Sequence, residues 1–474
     1  MMVRAMIILL FIFCLTGCGI LVPKYHRPAA PIPDTWPQGE AYKRIKVAPG
    51  VSTVKELSLW EFFTDKRLQK IIEISLKNNL DLRLAALKVE KARALYGVQR
   101  AELFPSINAT GSWSKQRIPK NVMGFPQSLT VERYDVSLGI PSWEIDFFGR
   151  IRSLKRKALE EYLAMEEARR SAQIMLVSDV ARAYYTLTAD RENLKLAQDT
   201  FETRKRVYDL IRRRYEVGLA TELDLRRAQT QVDAAREEVA RYIQLVAQDQ
   251  NALNLLAGTA VPEDLLPSDL TSVSPPRDIS PGLSSEVLLK RPDIIAAEHQ
   301  LKAAYANIGA ARAAFFPRIS LTTSVGTASD ELSGLFSSGS KSWNFASQIP
   351  LPIFDPRIWA AHRVSKAQRK IVLAQYKKAI QTAFKEVADA LAVKGTIDER
   401  ISAQESLVNA AAETYRLSMA RYTKGIDSYL SVLDAQQSLF EAQQQLIKLC
   451  LAKVANQVRL YAVLGGGADQ PNAH

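Results

Sequence analysis

The stretch that decides the fold reads Pro105-Ser106-Ile107-Asn108-Ala109-Thr110-Gly111-Ser112-Trp113-Ser114, followed after a loop by Arg133-Tyr134-Asp135-Val136-Ser137-Leu138-Gly139-Ile140-Pro141. In the first part Ile107, Ala109, Gly111 and Trp113 alternate with polar residues; in the second Tyr134, Val136, Leu138 and Ile140 do the same. A period of two sends successive side chains to opposite faces of a strand, so residues 105–141 predict a hairpin. The alternation returns at Ile319, Leu321, Thr323, Val325 and at Trp343, Phe345, Ser347, Ile349, predicting a second hairpin over about 317–350.

Strands of roughly 8 to 11 residues with one apolar and one polar face match those of outer-membrane barrels. In hydrocarbon an open sheet edge leaves backbone groups unpaired, so such a sheet must close on itself. Four strands are too few to close, which points to strands pooled from a dimer or a trimer. Small residues on the polar face imply an open lumen and favour the wider, twelve-stranded trimer. A soluble four-stranded sheet packed on helices has the same alternation and stays an alternative on periodicity alone.

Outward from the hairpins the period becomes helical. Ile151 to Val217 is a run of 67 residues without Gly or Pro, and Ile358 to Lys424 is another 67 interrupted only by Gly395. Each spans about 100 Å at 1.5 Å per residue, far beyond a compact domain. Shorter helical segments, Leu68 to Phe104 and Ala220 to Ala257, would match that length if stacked end to end; Leu283 to Phe316 and Ile426 to Leu464 are their counterparts. Apolar residues recur at steps of three and four, as in Leu225, Ala228, Val232, Ala235, Val239, Tyr242, Val246 and in Val432, Ala435, Leu439, Ala442, Leu446, Leu449. The same spacing runs through Leu176, Val180, Ala183, Leu187 and Ile380, Phe384, Val387, Leu391. That is the seam of a left-handed coiled coil, and a core stripe explains it without a cofactor.

The chain also repeats itself. Asp81 falls on Asp293, Arg100 on Arg312, and Phe104-Pro105 on Phe316-Pro317; further on, Arg214-Tyr215 falls on Arg421-Tyr422, Gly218 on Gly425 and Ala228-Gln229 on Ala435-Gln436. The expected organisation is a signal peptide at 1–17, an extended segment at 18–67, a first repeat at 68–261 and a proline-rich linker at 262–282. A second repeat at 283–464 and a tail at 465–474 complete it.

At the N-terminus, Arg4 precedes the apolar run Ala5 to Gly17, which ends Leu15-Thr16-Gly17-Cys18. This reads as a signal peptide too short to span a membrane. Cys18 resembles the acyl acceptor of bacterial lipoproteins, so its expected modification is an N-acyl diacylglycerol group, with no other cofactor. In those lipoproteins an Asp after the Cys means inner-membrane retention, so Gly19 implies the outer membrane. Removal of Cys14 with the leader leaves Cys18 and Cys450, and no disulfide is expected. The net charge of +13 is spread along helices rather than clustered, and nucleic acid is not an expected partner. His26, His299, His362 and His474 lack metal spacing, and neither a phosphate-binding loop nor a nucleophile elbow is present. The chain is not expected to be an enzyme or to hold a metal.

The whole chain resembles the TolC-like outer-membrane factor family, in particular its lipoprotein branch serving RND-type multidrug efflux. The resemblance rests on Pro23-Lys24-Tyr25-His26-Arg27-Pro28, on Trp60 with Phe63, Asp65 and Leu68, and on Trp143-Glu144-Ile145-Asp146-Phe147-Phe148-Gly149-Arg150. Arg291-Pro292-Asp293-Ile294, Phe315-Phe316-Pro317 and Leu433-Asp434-Ala435-Gln436 extend it. It implies a mixed α/β membrane protein: a homotrimer with a twelve-stranded outer-membrane β-barrel continued by a coiled-coil periplasmic barrel. The implied partners are outer-membrane lipid, a periplasmic adaptor (membrane fusion) protein and an inner-membrane transporter. The implied function is passive exit of small toxic compounds such as drugs. A type I protein secretion duct and a lipid-tethered periplasmic scaffold are the alternatives.

The resemblance also puts a gate at the periplasmic tips, around Gly218 and Gly425. A Gly closing each long helix is a reasonable cap, and helices folding back there form hairpin tips. By resemblance Asp434 would line the constriction; Asp224, in the other repeat, is a second candidate. An Asp near a helix start is equally well explained as a surface residue favoured by the macrodipole. Some relatives carry an Arg three residues after that Asp, whereas here Gln437 stands. Arg227, at that spacing after Asp224, is the substitute candidate. Val217, Gly218, Leu219, Gly425 and Ile426 resemble the adaptor-contacting loops.

Overall fold

The computed structural model describes residues 21–42, 57–121, 127–280 and 284–467. The signal peptide and the lipid-attachment candidate Cys18 lie outside the described residues. In chain order the elements are α1 (Leu59–Phe62), α2 (Lys66–Asn78), α3 (Leu80–Ala101), β1 (Asn108–Ile118), β2 (Leu129–Ile145), α4 (Arg150–Glu216) and α5 (Glu222–Ala257). They continue with α6 (Pro292–Ala313), β3 (Ile319–Ser329), β4 (Lys341–Gln348), α7 (Pro356–Thr423) and α8 (Tyr429–Val463). The described residues form two compact units: one within Met1–Ala29, Lys88–Met165 and Ala296–Tyr376, the other within Ala30–Leu87, Glu166–Ile295 and Lys377–His474.

The first unit carries the sheet, ordered β1-β2-β3-β4 and antiparallel throughout. Its register joins the alternating residues of all four strands: Ala109 faces Leu138, Leu138 faces Val325, and Val325 faces Trp343. The opposite face aligns Thr110, Ser137, Gly326 and Ser342. The apolar face is bare, with Trp343 80% exposed. Among the described residues β1 and β4 have no strand on their outer sides.

Sequence periodicity ends the second strand at Pro141, but β2 runs on to Ile145. The register shifts between Ile140 and Trp143, where Pro141 and Ser142 stand against Thr322 alone. A proline has no N–H for the ladder, and a bulge that removes its residue from pairing lets the strand continue. Thr322 Oγ1 donates to the Pro141 carbonyl at 3.0 Å. At the corner into α4, Arg150 grips Glu144 with two bonds of 2.8 Å and the Arg152 backbone N–H donates to Asp146 at 2.8 Å. Phe148 stacks on Phe316 at 4.7 Å. An extended N-terminal strap lies on α6: Arg27 pairs with Glu298 at 2.6 Å and Tyr25 meets Tyr305 edge-on at 5.5 Å. Val22 occupies the space that a side chain at Gly309 would need.

In the second unit Phe62 stacks on Tyr461 at 4.0 Å, both buried. Each such ring stabilises by roughly 2–3 kcal/mol relative to exposure. The heptad residues of α4, α5, α7 and α8 are buried or half-buried. The helical segment expected to run unbroken from Leu68 to Phe104 instead breaks at Asn79, which separates α2 from α3. Asn79 Oδ1 accepts from the Leu82 N–H at 2.9 Å and its amide donates to the Leu256 carbonyl at 3.0 Å. Beyond that break, α3 buries none of its residues, and Leu80, Leu84, Leu87, Leu95 and Val98 are exposed in a stripe of helical period. Gly395 does not interrupt α7. Its missing side chain admits the backbone of Ala41, whose carbonyl oxygen would stand 2.0 Å from a Cβ there.

Candidate functional site

At residues 217–221 α4 turns back into α5, and at 424–428 α7 turns back into α8. Both turns are built alike. Gly218 has φ +79° and Gly425 φ +73°, the left-handed region that glycine enters without strain. The Leu219 N–H donates to the Arg214 carbonyl at 2.7 Å and Gly218 N–H to Tyr215 at 2.9 Å; Ile426 to Arg421 and Gly425 to Tyr422 repeat this, each at 2.9 Å. These paired bonds satisfy the last carbonyls of each long helix as a Schellman turn. The turn leaves apolar side chains outside: Val217 and Leu219 are each 69% exposed and Ile426 59%.

Past the turns the resemblance ends. At the first tip Thr221 caps α5, its Oγ1 accepting the Asp224 N–H at 3.1 Å while its own hydroxyl donates to Asp224 Oδ2 at 2.7 Å. The Thr221 N–H also donates to Oδ2, at 3.3 Å, closing a capping box. Cap formation accounts for Asp224 without a gate. At the second tip Ser428 makes no side-chain cap bond, and Asp427 is bound by Arg421, 3.0 Å at Oδ1. That guanidinium holds the Asp427 carboxyl below its ordinary range. Asp434, seven residues beyond Asp427, is exposed and makes no hydrogen bond or ion pair among the described residues. Neither does the half-buried guanidinium of Arg227, which the structure therefore does not bring together with Asp224 or Asp434.

Beneath the turns Val207, Ile211, Ala228, Tyr422, Tyr429, Val432 and Leu433 form one core shared by the four helices. The rings of Tyr422 and Tyr429 lie 5.4 Å apart, and the Arg214 guanidinium lies over Tyr422 at 4.9 Å. Burial, with the charge of Asp224 adding, raises both phenol pKa values, so both stay neutral.

A residue that sequence reasoning passed over sits on the side of this core away from the turns. Arg204 on α4 is 5% exposed, donating to the Gln231 carbonyl of α5 at 3.2 Å and to Gln437 Oε1 of α8 at 2.9 Å. Burial lowers its pKa, and no carboxylate touches it among the described residues. Nothing in the sequence separates it from the many solvated basic residues of α4. One apolar core and one buried guanidinium thus join the two helical hairpins near their turns.

Comparison with known proteins bears on what such an arrangement serves. The pattern of the family described as Outer membrane efflux protein matches residues 71–259 and 283–466. The antibiotic efflux pump outer membrane protein ArpC of Pseudomonas putida is 48% identical over 456 residues, covering 96% of this chain and 94% of that protein. The toluene efflux pump outer membrane protein TtgC of Pseudomonas putida is similar to the same degree over the same shares. Among solved structures, the open state of the Neisseria gonorrhoeae MtrE outer membrane channel has a TM-score of 0.83 at 36% identity, over 94% of this chain and 98% of that one.

Proposed function

Because the chain belongs to the outer membrane efflux protein family, we propose that it works as a homotrimer forming the outer-membrane exit duct of a tripartite efflux pump. One observation carries the trimer: a four-stranded sheet with a bare apolar face and two edges that are unpaired among the described residues. Such a sheet satisfies its backbone in lipid only by joining other copies, and three copies of four strands make the twelve of an open-lumen barrel. The apolar stripe of α3 supports the same reading for the helical wall, since it has the spacing of a coiled-coil seam and stays exposed among the described residues.

The wall then continues as a periplasmic tube. The exposed Val217, Leu219 and Ile426 beside Gly218 and Gly425 are the docking surface for the periplasmic adaptor, whose own helical hairpin would cover them. An inner-membrane transporter of the RND type drives transport through that adaptor, and Cys18 carries the acyl anchor. Relatives of equal identity are named for antibiotic efflux and for toluene efflux. This supports small toxic compounds as cargo, selected by the pump rather than by the duct. Asp434, exposed and uncommitted, forms the gate as a ring of three carboxylates, favouring cations at the constriction.

Detergent-extracted protein tests the proposal. Light scattering is expected to return three times the chain mass of 52.8 kDa, less the leader, and planar bilayers are expected to conduct. A monomer that stays folded without detergent, or silent bilayers, overturns it.

A further inference from the structure

We propose that Arg204 is the positioning residue of the tip: through Gln437 it clamps α8 to the α4–α5 pair and so sets how far the second hairpin closes. The inference rests on the reading of the tips as a gate and names the contact that holds the gate shut.

A guanidinium offers five N–H donors in a planar fork. That of Arg204 sends one bond to each of two other helices, to the Gln231 carbonyl of α5 and to Gln437 Oε1 of α8. Its Nε is buried without an acceptor, and its carbon lies 5.8 Å from the Phe440 ring centroid on α8. The carboxylate whose charge reaches it, Glu238, is already bound to Arg241 at 2.6 Å. A cation desolvated in this way is unfavourable by itself, and an apolar side chain would be easier to bury. What the guanidinium adds is direction, since it joins three helices at one point.

The contact does not stop at the amide. Gln437 Nε2 donates to Glu441 Oε1 at 2.7 Å. With an Arg on one side and a carboxylate on the other, the two ends of the amide have one consistent orientation. Gln437 therefore relays the charge of Arg204 to that of Glu441, a cation and an anion on different helices joined through a neutral bridge. Such a bridge is weaker than a direct ion pair. A contact that must break each time α8 moves needs that weakness. Fourteen residues separate Arg204 from Gly218 along α4, so the clamp stands roughly 20 Å from the tip and acts on it as a lever.

Two substitutions push the clamp in opposite directions, with closed-state conductance of the trimer in planar bilayers as the readout. Gln437→Glu gives Arg204 a direct carboxylate on an exposed helix position, and conductance is expected to fall by about twofold. Arg204→Met removes the clamp while keeping an apolar body, and conductance is expected to rise by about twofold, with Arg204→Lys in between. A residue that merely packs would not produce opposite signs. Shifts in the same direction, or unchanged conductance in Gln437→Glu trimers of normal mass, overturn the proposal. If Arg204→Met fails to assemble, Gln437→Glu decides alone. A wild-type protein that does not conduct at all sinks the channel reading instead, so the two failures are distinguishable.

Discussion

At the first tip the carboxylate of Asp224 is tied into the cap of its own helix, whereas at the second Ser428 leaves the cap unmade and Asp434 stands free on the surface. The turns themselves are the same, with equal hydrogen-bond patterns and a left-handed glycine in each. Backbone geometry is thus shared between tips while the side chains divide the work. One acidic residue builds a helix start and the other makes no such bond among the described residues. Asp224 stands three residues past the cap of α5, where a carboxylate can close a capping box, whereas the same place in α8 is Ser431, which has none to offer.

The glycines give the strongest way to test the shared part. Gly218→Val or Gly425→Val places a branched side chain at positive φ, and each is expected to cost about 2 kcal/mol of local stability, read as faster hydrogen exchange at its own tip. Equal losses at both tips support the common turn; a loss at only one breaks it. Next come the caps. Thr221→Ala is expected to cost about 1 kcal/mol by the same measurement, and Ser428→Ala close to nothing because no side-chain bond is lost. Equal effects would contradict the asymmetry.

Conductance separates the two aspartates. Asp434→Ala is expected to raise the leak of the isolated trimer by about twofold, whereas Asp224→Ala loosens α5 and leaves conductance near wild type. An inverted result would exchange their roles. The smallest effect concerns pH. The Arg421 guanidinium depresses the folded pKa of Asp427, so its contribution is present above the ordinary carboxylate range and is lost as pH falls through the depressed value. Tip exchange rates, corrected for intrinsic pH dependence, should differ between wild type and Asp427→Asn at neutral pH and converge in acid. A difference that grows on acidification would refute the pairing.

Much of this was readable from residue order. Alternation at Ile107 to Trp113 and Tyr134 to Ile140 locates the first hairpin, and the runs free of Gly and Pro give the long helices, because both signals are periodic and local. The capping box from Thr221 to Asp224 went unread in the sequence, and its competition with a gate role shows only in the hydrogen bonds. The break at Asn79 was not readable, since it depends on the Leu256 carbonyl far along the chain. Nor was the bulge at Pro141, where a residue that ends most strands is passed because Thr322 bonds its carbonyl. Arg204 was hidden for a related reason: burial by neighbouring helices turns an ordinary basic residue into a structural tie.

The bare outer sides of β1 and β4 bear on how the molecule is made. In the proposed trimer such a sheet finds its last ladder only on another copy and cannot finish folding in isolation, so its final step is a collision whose rate depends on how many nascent copies are present. Until that encounter the same edges are open to any passing strand. Slow synthesis should therefore lose a larger fraction of chains to degradation, and crowded insertion sites should rescue them.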